Sequence, residues 1–259
     1  CRNLSCVGAE PIALTDCLNF GNPERLEVYY QLEECIKGMA AACRVLGVPV
    51  VSGNVSLYNE TRGQAVYPTP VVGALGLLDE VTRHCTLGFK QEGDLVLLLG
   101  ASGLEGDPAH LAGSEYLELL HGRVAGQPRI DLELERRVQA LCRRAIRQGL
   151  LHSAHDCSDG GLAVALAECS IVGELGFRGT FSTAGRWDVT LFGEAPSRVV
   201  VSLTPEEVSQ LKALAGELQV PLMELGVVQR EHFQLPGLLD LPLAELAEAW
   251  HHGLERALQ

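Results

Sequence analysis

Lysine is almost missing from this chain of 259 residues, occurring only at Lys37, Lys90 and Lys212. No G-x-x-x-x-G-K-[ST] segment occurs either, which excludes a phosphate loop of the Walker type. The formal net charge of −13 argues against a sequence-independent grip on nucleic acid or on an anionic membrane, because phosphate backbones and headgroups attract basic surfaces. No apolar run approaches the roughly 20 residues that span a bilayer, and no basic segment followed by an apolar core opens the chain. The cytoplasm is therefore the default location. The nine cysteines are odd in number and contain no C-x-x-C pair, so they read as reduced thiols buried as small hydrophobes, not as a disulfide framework. His155 with Cys157 has no second pair at ligand spacing, which disfavours structural zinc. No internal repeat, low-complexity tract or long polar stretch suggests disorder.

What the chain does have is apolar material: 47% hydrophobic against 20% charged residues supports a sizeable core. Its length exceeds the usual domain of roughly 100 to 150 residues, so two units are expected. Cys1 to Gly8 reads as the last turns of a helix with a glycine cap, so the chain is expected to be a piece of something longer. Glu10 to Thr15 reads as a strand. Glu24 to Leu46 has helical apolar spacing through Leu26, Tyr30, Leu32, Cys35, Ile36, Met39 and Cys43, stopped by Gly47-Val48-Pro49. Pro49 to Leu57 and Val66 to Leu78 read as extended, with Pro68 and Pro70 pointing to an edge or bulge in the second.

A new unit opens near Gly93-Asp94, where Leu95 to Leu99 is a continuous apolar strand. Helices are expected over Ala109 to Leu120, Asp131 to Gly149 and Leu162 to Val172. Strands are expected over Ser197 to Leu203 and Leu222 to Val228, with a helix from Thr204-Pro205-Glu206-Glu207 to Leu218 between them. The fold class is α/β (α+β), with a boundary near residue 92 and a mixed sheet in the second unit.

Two segments carry the chemistry. Thr15-Asp16-Cys17-Leu18-Asn19-Phe20-Gly21-Asn22-Pro23 and Ser52-Gly53-Asn54-Val55-Ser56-Leu57-Tyr58-Asn59-Glu60-Thr61 each follow an apolar strand with small polar residues, a carboxylate or glycine. Such strand ends can set backbone amides and short oxygen ligands against phosphate and metal. The plain alternatives are a turn cap at Asp16, a turn glycine at Gly53, a left-handed turn asparagine at Asn54 and an ordinary strand hydroxyl at Ser56. Gly100 to Gly106, with Gly103 at its centre, and Ser158-Asp159-Gly160-Gly161 before a helix are candidate anion cradles. An N-cap at Ser158 or Asp159 is the favoured alternative there. Glu24, Glu27, Glu33 and Glu34 read as a solvated acidic face, and Tyr29, Tyr30 and Leu32 as core or interface.

With Pro68-Thr69-Pro70-Val71-Val72-Gly73 and His155-Asp156-Cys157-Ser158-Asp159-Gly160-Gly161-Leu162, these two motifs run in order over nearly the whole chain. Together they resemble the family of synthetase subunits of phosphoribosylformylglycinamidine synthase, in its small form that works with a separate glutaminase and a small accessory subunit. The superfamily also holds aminoimidazole ribonucleotide synthetase, selenophosphate synthetase, thiamine-monophosphate kinase and a hydrogenase maturation factor.

By this resemblance residues 1–92 are the later part of a second A domain, which pairs through its sheets. Residues 93–259 are a second B domain, and the N-terminal half of the same subunit is a required partner. The implied reaction consumes ATP and ammonia to turn the amide of formylglycinamide ribonucleotide into an amidine, through a phosphorylated amide. The resemblance assigns Asp16 and Gly53 to ATP, Asn54 to Mg²⁺ and Ser56 to the substrate. It leaves no catalytic residue in this chain, because the family's catalytic histidine lies in the first A domain; His155 is then structural. Gly103, Asp159, Gly160 and Gly161, with Asp156 and Gly193 to Arg198, are at most auxiliary phosphate contacts. A stand-alone ATP-using relative and a non-catalytic nucleotide-binding or assembly module are the competing readings.

Overall fold

The computed structural model describes residues 1–104, 106–183 and 185–258. Glu105, within the Gly100 to Gly106 segment, lies outside the described residues. The chain forms two compact units, one of Cys1 with Ala9–Asp79 and one of Arg2–Gly8 with Glu80–Gln259. The division after Asp79 falls ahead of the expected boundary near residue 92. The opening helix also belongs to the second unit, because Cys6 sits in that unit's core beside Leu141, Cys142 and Ala145.

In chain order the first part runs α1 (Arg2–Cys6), β1 (Glu10–Asn19), α2 (Leu26–Leu46), β2 (Val50–Ser56), β3 (Glu60–Thr61), β4 (Gln64–Ala65) and β5 (Thr69–Leu77). The first unit is built on a three-stranded sheet in the order β2-β1-β5, with β1 parallel to β2 and antiparallel to β5. Parallel neighbours need a long crossover, and α2 supplies it. Gly47 ends α2 in the left-handed region at φ 71°, its N–H donating to Cys43 O. Pro11 is accommodated in the central strand by a register shift between Pro11 and Ala13, and Pro70 lies on the edge strand β5, where a missing N–H costs least.

Both sequence-predicted strands are longer than their apolar runs. β1 continues through Asp16 to Asn19, and β2 carries Ser52 to Ser56 inside it, because the two strands satisfy each other's backbone groups there. On α2, Ile36, Met39, Ala40 and Cys43 turn toward the sheet, whereas Tyr29 and Tyr30 are exposed and Val28 alone is buried. The core reading of the tyrosines therefore fails: 3.6-residue periodicity places them off the sheet-facing stripe.

The second unit continues with β6 (Leu95–Leu99), α3 (Glu115–His121), α4 (Leu132–Arg147), β7 (Ser153–Asp156), α5 (Gly161–Gly173), β8 (Gly176–Gly179), α6 (Trp187–Phe192), β9 (Val199–Leu203), α7 (Val208–Glu217), β10 (Leu222–Gln229), β11 (His232–Leu235), β12 (Leu239–Pro242) and α8 (Leu243–Ala257). Its seven-stranded sheet has the order β12-β11-β8-β10-β6-β9-β7 and is mixed, antiparallel throughout except for the parallel pair β8 and β11. The continuous apolar run of β6 is explained by coverage of both faces. Leu97 and Leu99 enter one core with Val138, Leu141 and Leu211, while Val96 and Leu98 enter the other with Leu162, Leu166 and Phe177. Truncating any of these leucines to alanine costs on the order of 2–5 kcal/mol.

Local caps mark some of the helix starts. Asp131 caps α4 by accepting from the amides of Glu133 and Leu134, and Thr204 with Glu207 forms a capping box ahead of α7. The expected helix over Ala109 to Leu120 is broken: a 3-10 turn over Pro108–Leu111 stops, Gly113 takes φ 69°, and Ser114 caps a separate α3. The short β8, β11 and β12 and the helices α6 and α8 had no counterpart in the sequence reading. Among the described residues no helix is long and apolar enough to cross a membrane. Cys6, Cys85, Cys142, Cys157 and Cys169 are buried, but Cys1, Cys17, Cys35 and Cys43 are only half-buried, so the reading of all nine as core thiols holds for part of the set. Burial pushes the Cys85 thiol up to about 12.

Candidate functional site

The two motif segments become neighbours because β1 and β2 run side by side in the same direction. Thr15 pairs with Ser52, Asp16 with Gly53, Cys17 with Asn54 and Asn19 with Ser56. Paired residues share a face and successive residues alternate. Asp16 and Gly53 therefore lie on one face, with Leu14, Leu18 and Val55. Thr15, Cys17 and Asn19 lie on the other with Ser52, Asn54 and Ser56, and Ser52 Oγ donates to Thr15 Oγ1 at 2.9 Å. The two strand ends therefore run side by side, but the side chains expected to converge on one site are divided between the two faces of the sheet.

On the Asp16 face, α2 flanks an open cavity of about 310 Å³ lined by Asp16, Leu18, Ile36, Met39, Cys43 and Arg44, among others. Asp16 is half-buried, and its carboxylate takes no hydrogen bond or ion pair from the described residues. Its neighbour Gly53 is not a turn residue; it is in strand conformation, and a methyl group there would overlap Asp16 Oδ1. Asn54 is not in the left-handed region, so the turn alternative for it also fails. It is exposed with no hydrogen-bond partner for its side chain among the described residues, leaving a neutral oxygen available.

Ser56, half-buried at the end of β2, is held differently. Its Oγ donates to Asn59 Oδ1 at 3.2 Å, and Asn59 Nδ2 donates to Phe20 O at 3.0 Å and to Ser56 O at 2.8 Å. Backbone bonds from Phe20 N to Ser56 O and from Tyr58 N to Gly21 O lock the same corner, with Tyr58 at φ 60°. Asn59 stands inside the second motif, three residues after Ser56, and that spacing was the signal in the sequence for a side-chain contact across the turn.

The glycine-rich segments of the second unit are arranged otherwise. Gly103 lies in an exposed loop and does not open a helix. Ser158 and Asp159 are exposed and neither caps α5; the N-cap is Gly160, at φ 74°, because only a residue without Cβ enters that turn cheaply. Gly161 follows at φ 68°, where a side chain would meet Gly193 O. Glu194 Oε1 accepts from Gly160 N at 2.9 Å and also from Glu115 N at 2.9 Å.

Arg198 is buried and turns its Nε and Nη2 onto Ala195 O and Gly193 O. Asp156 is buried 3.7 Å from Arg2 Nε, and His155 Nε2 lies 2.7 Å from Glu168 Oε2. Glu194 entered the sequence reading only within Gly193 to Arg198, at most an auxiliary phosphate contact; in the fold its carboxylate accepts from backbone amides 34 and 79 positions away, which nothing local announces.

This pairing of a small β-α-β sheet unit with a mixed-sheet α/β unit is the architecture of the AIR synthase related proteins. The N-terminal domain model of that family matches residues 1–78 and its C-terminal domain model matches residues 91–235, and the chain belongs to this family. Within it, the chain is 54% identical over 98% of its length to phosphoribosylformylglycinamidine synthase subunit PurL of Thermomicrobium roseum. It spans about a third of the length of such curated relatives, 34% in this case. Among solved structures, T. maritima PurL complexed with FGAR matches 95% of this chain and 41% of its own at a TM-score of 0.74 and 19% identity. T. maritima PurL complexed with ATP matches 95% of this chain and 39% of its own at a TM-score of 0.69 and 17% identity. At these identities the structural matches speak for the fold.

Proposed function

We propose that this chain is the nucleotide- and substrate-binding part of an ATP-dependent carbon–nitrogen ligase of the cytoplasm. That enzyme converts formylglycinamide ribonucleotide, ATP and glutamine-derived ammonia into formylglycinamidine ribonucleotide in purine biosynthesis. The observation that carries this reading is the 54% identity to PurL along 98% of the chain. The four residues assigned by resemblance lie on the adjacent strands β1 and β2, Asp16 and Gly53 on one face of the sheet and Asn54 and Ser56 on the other. Residues 1–92 and 93–259 serve in this reading as the later part of a second A domain and a second B domain. The rest of the subunit, a glutaminase subunit and a small accessory subunit complete the assembly.

Asp16 and Gly53 hold the nucleotide: an unpaired carboxylate accepts hydrogen bonds from it, and the bare glycine backbone lets it approach closely. Ser56 meets the amide substrate. Asn54 suits Mg²⁺ as one neutral oxygen ligand, being exposed and unpartnered. Among the described residues no group of three His, Cys, Asp or Glu could hold a metal, and Asn54 would be one ligand of a site that other parts of the enzyme complete. Bound there, Mg²⁺ would offset phosphate charge. The reaction depends chiefly on holding the phosphoryl group and amide in line, and this chain contributes that positioning.

Turnover in the reconstituted complex tests the reading. Asn54→Ala is expected to abolish most amidine formation with assembly intact, and unchanged turnover would overturn it.

A further inference from the structure

The orientation of the Asn59 amide is determined by its surroundings. Its Nδ2 faces two carbonyl oxygens, Phe20 O at 3.0 Å and Ser56 O at 2.8 Å, and only the NH₂ end can donate to them. Asn59 Oδ1 is then the end that faces Ser56 Oγ at 3.2 Å. An amide oxygen cannot donate, so the proton between these two atoms belongs to the serine. The hydroxyl has one proton, and it is spent on Asn59.

From this we infer that Asn59 is a positioning residue that turns Ser56 into a hydrogen-bond acceptor. The ligand group facing Ser56 is accordingly a donor, an N–H or O–H of the amide substrate, and not a phosphate or carbonyl oxygen. This reverses the polarity that a free serine hydroxyl would suggest, and it rests on the proposed role of Ser56 in substrate binding. The same amide ties the end of β1, through Phe20, to the end of β2, through Ser56, so the hydroxyl is presented from a corner fixed on both strands.

The test uses the assembled enzyme that contains this chain, with steady-state kinetics on the amide substrate. Ser56→Ala and Asn59→Ala are each expected to raise KM about tenfold, the loss of roughly one hydrogen bond, and the double variant is expected to raise it no further. Additive losses would overturn the positioning role, since a purely structural asparagine would add its own effect in the absence of Ser56. Should Asn59→Ala not fold, the structure of the unmodified enzyme with the amide substrate bound decides the matter. A nitrogen or hydroxyl within about 3 Å of Ser56 Oγ supports the inference, and a phosphate or carbonyl oxygen there sinks it. If Ser56→Ala leaves every KM unchanged and no ligand atom approaches Ser56, the site reading itself falls, along with this inference.

Discussion

Asp16 and Gly53 face each other across the parallel strands β1 and β2, and the Asp16 carboxylate fills the volume that a side chain at position 53 would need. The glycine is thus required by its neighbour, not by a turn. Gly53→Ala is expected to lower stability by about 1–3 kcal/mol through overpacking and to weaken nucleotide binding by displacing the carboxylate. The double variant Asp16→Ala with Gly53→Ala is expected to recover only part of the stability and none of the binding, because the added methyl group still meets Asp16 O at 2.8 Å; urea unfolding and calorimetric titration with a non-hydrolysable ATP analogue would separate the two effects.

The division of the motif over two faces of the sheet makes its own prediction. Asp16→Asn keeps the shape of the side chain beside Gly53 and is expected to raise KM for ATP with little change in thermal stability. Asn54→Ala, on the opposite face, is expected to raise the Mg²⁺ concentration needed for half-maximal turnover. Titrating ATP and Mg²⁺ independently in the assembled enzyme would show the two effects, and identical profiles for both variants would contradict the separation.

In the second unit, Glu194 holds the amide that opens α5 and the amide that opens α3 with a single oxygen. Glu194→Ala leaves both donors to solvent and is expected to cost about 1–2 kcal/mol. Glu194→Gln retains an oxygen acceptor and is expected to lose less. Urea midpoints with an unchanged m-value are the measurement.

Asp94 is 1% exposed, with Oδ2 2.7 Å from His152 Nδ1 and Oδ1 buried without a hydrogen-bond partner among the described residues. Burial raises its pKa, against the hydrogen bond from His152. The folded chain therefore holds this proton more tightly than the unfolded chain does. The resulting stabilisation is present in full below the unfolded value of about 4 and is lost as pH rises through the raised folded value. Asp94→Asn is expected to lack this decline, so unfolding free energies measured across that acid window should fall less steeply in the variant than in the parent.

Strands and helices with strong periodicity were legible in the residues themselves. The β6 run Leu95–Leu99, α2 with its Gly47 stop, and the capping box at Thr204 and Glu207 follow from backbone sterics, side-chain periodicity and local hydrogen bonding, which neighbours in sequence control. The four residues of the proposed first-unit site, Asp16, Gly53, Asn54 and Ser56, stood out as a motif of short polar residues and glycine within apolar strands. Elements of four residues such as β8 and β11 were not legible, since so short a pattern is stabilised by partners distant in the chain.

Which face each proposed site residue occupies was likewise beyond the sequence. A strand alternates with period two, but only its register with β2 places Asp16 beside Gly53 and sets Asn54 and Ser56 on the other side. The anion at the amide of Gly160 and the polarity of Ser56 were also decided by the fold. Each depends on a single side chain, Glu194 or Asn59, brought to hydrogen-bond distance by packing, and a hydrogen bond exists only where that geometry is met.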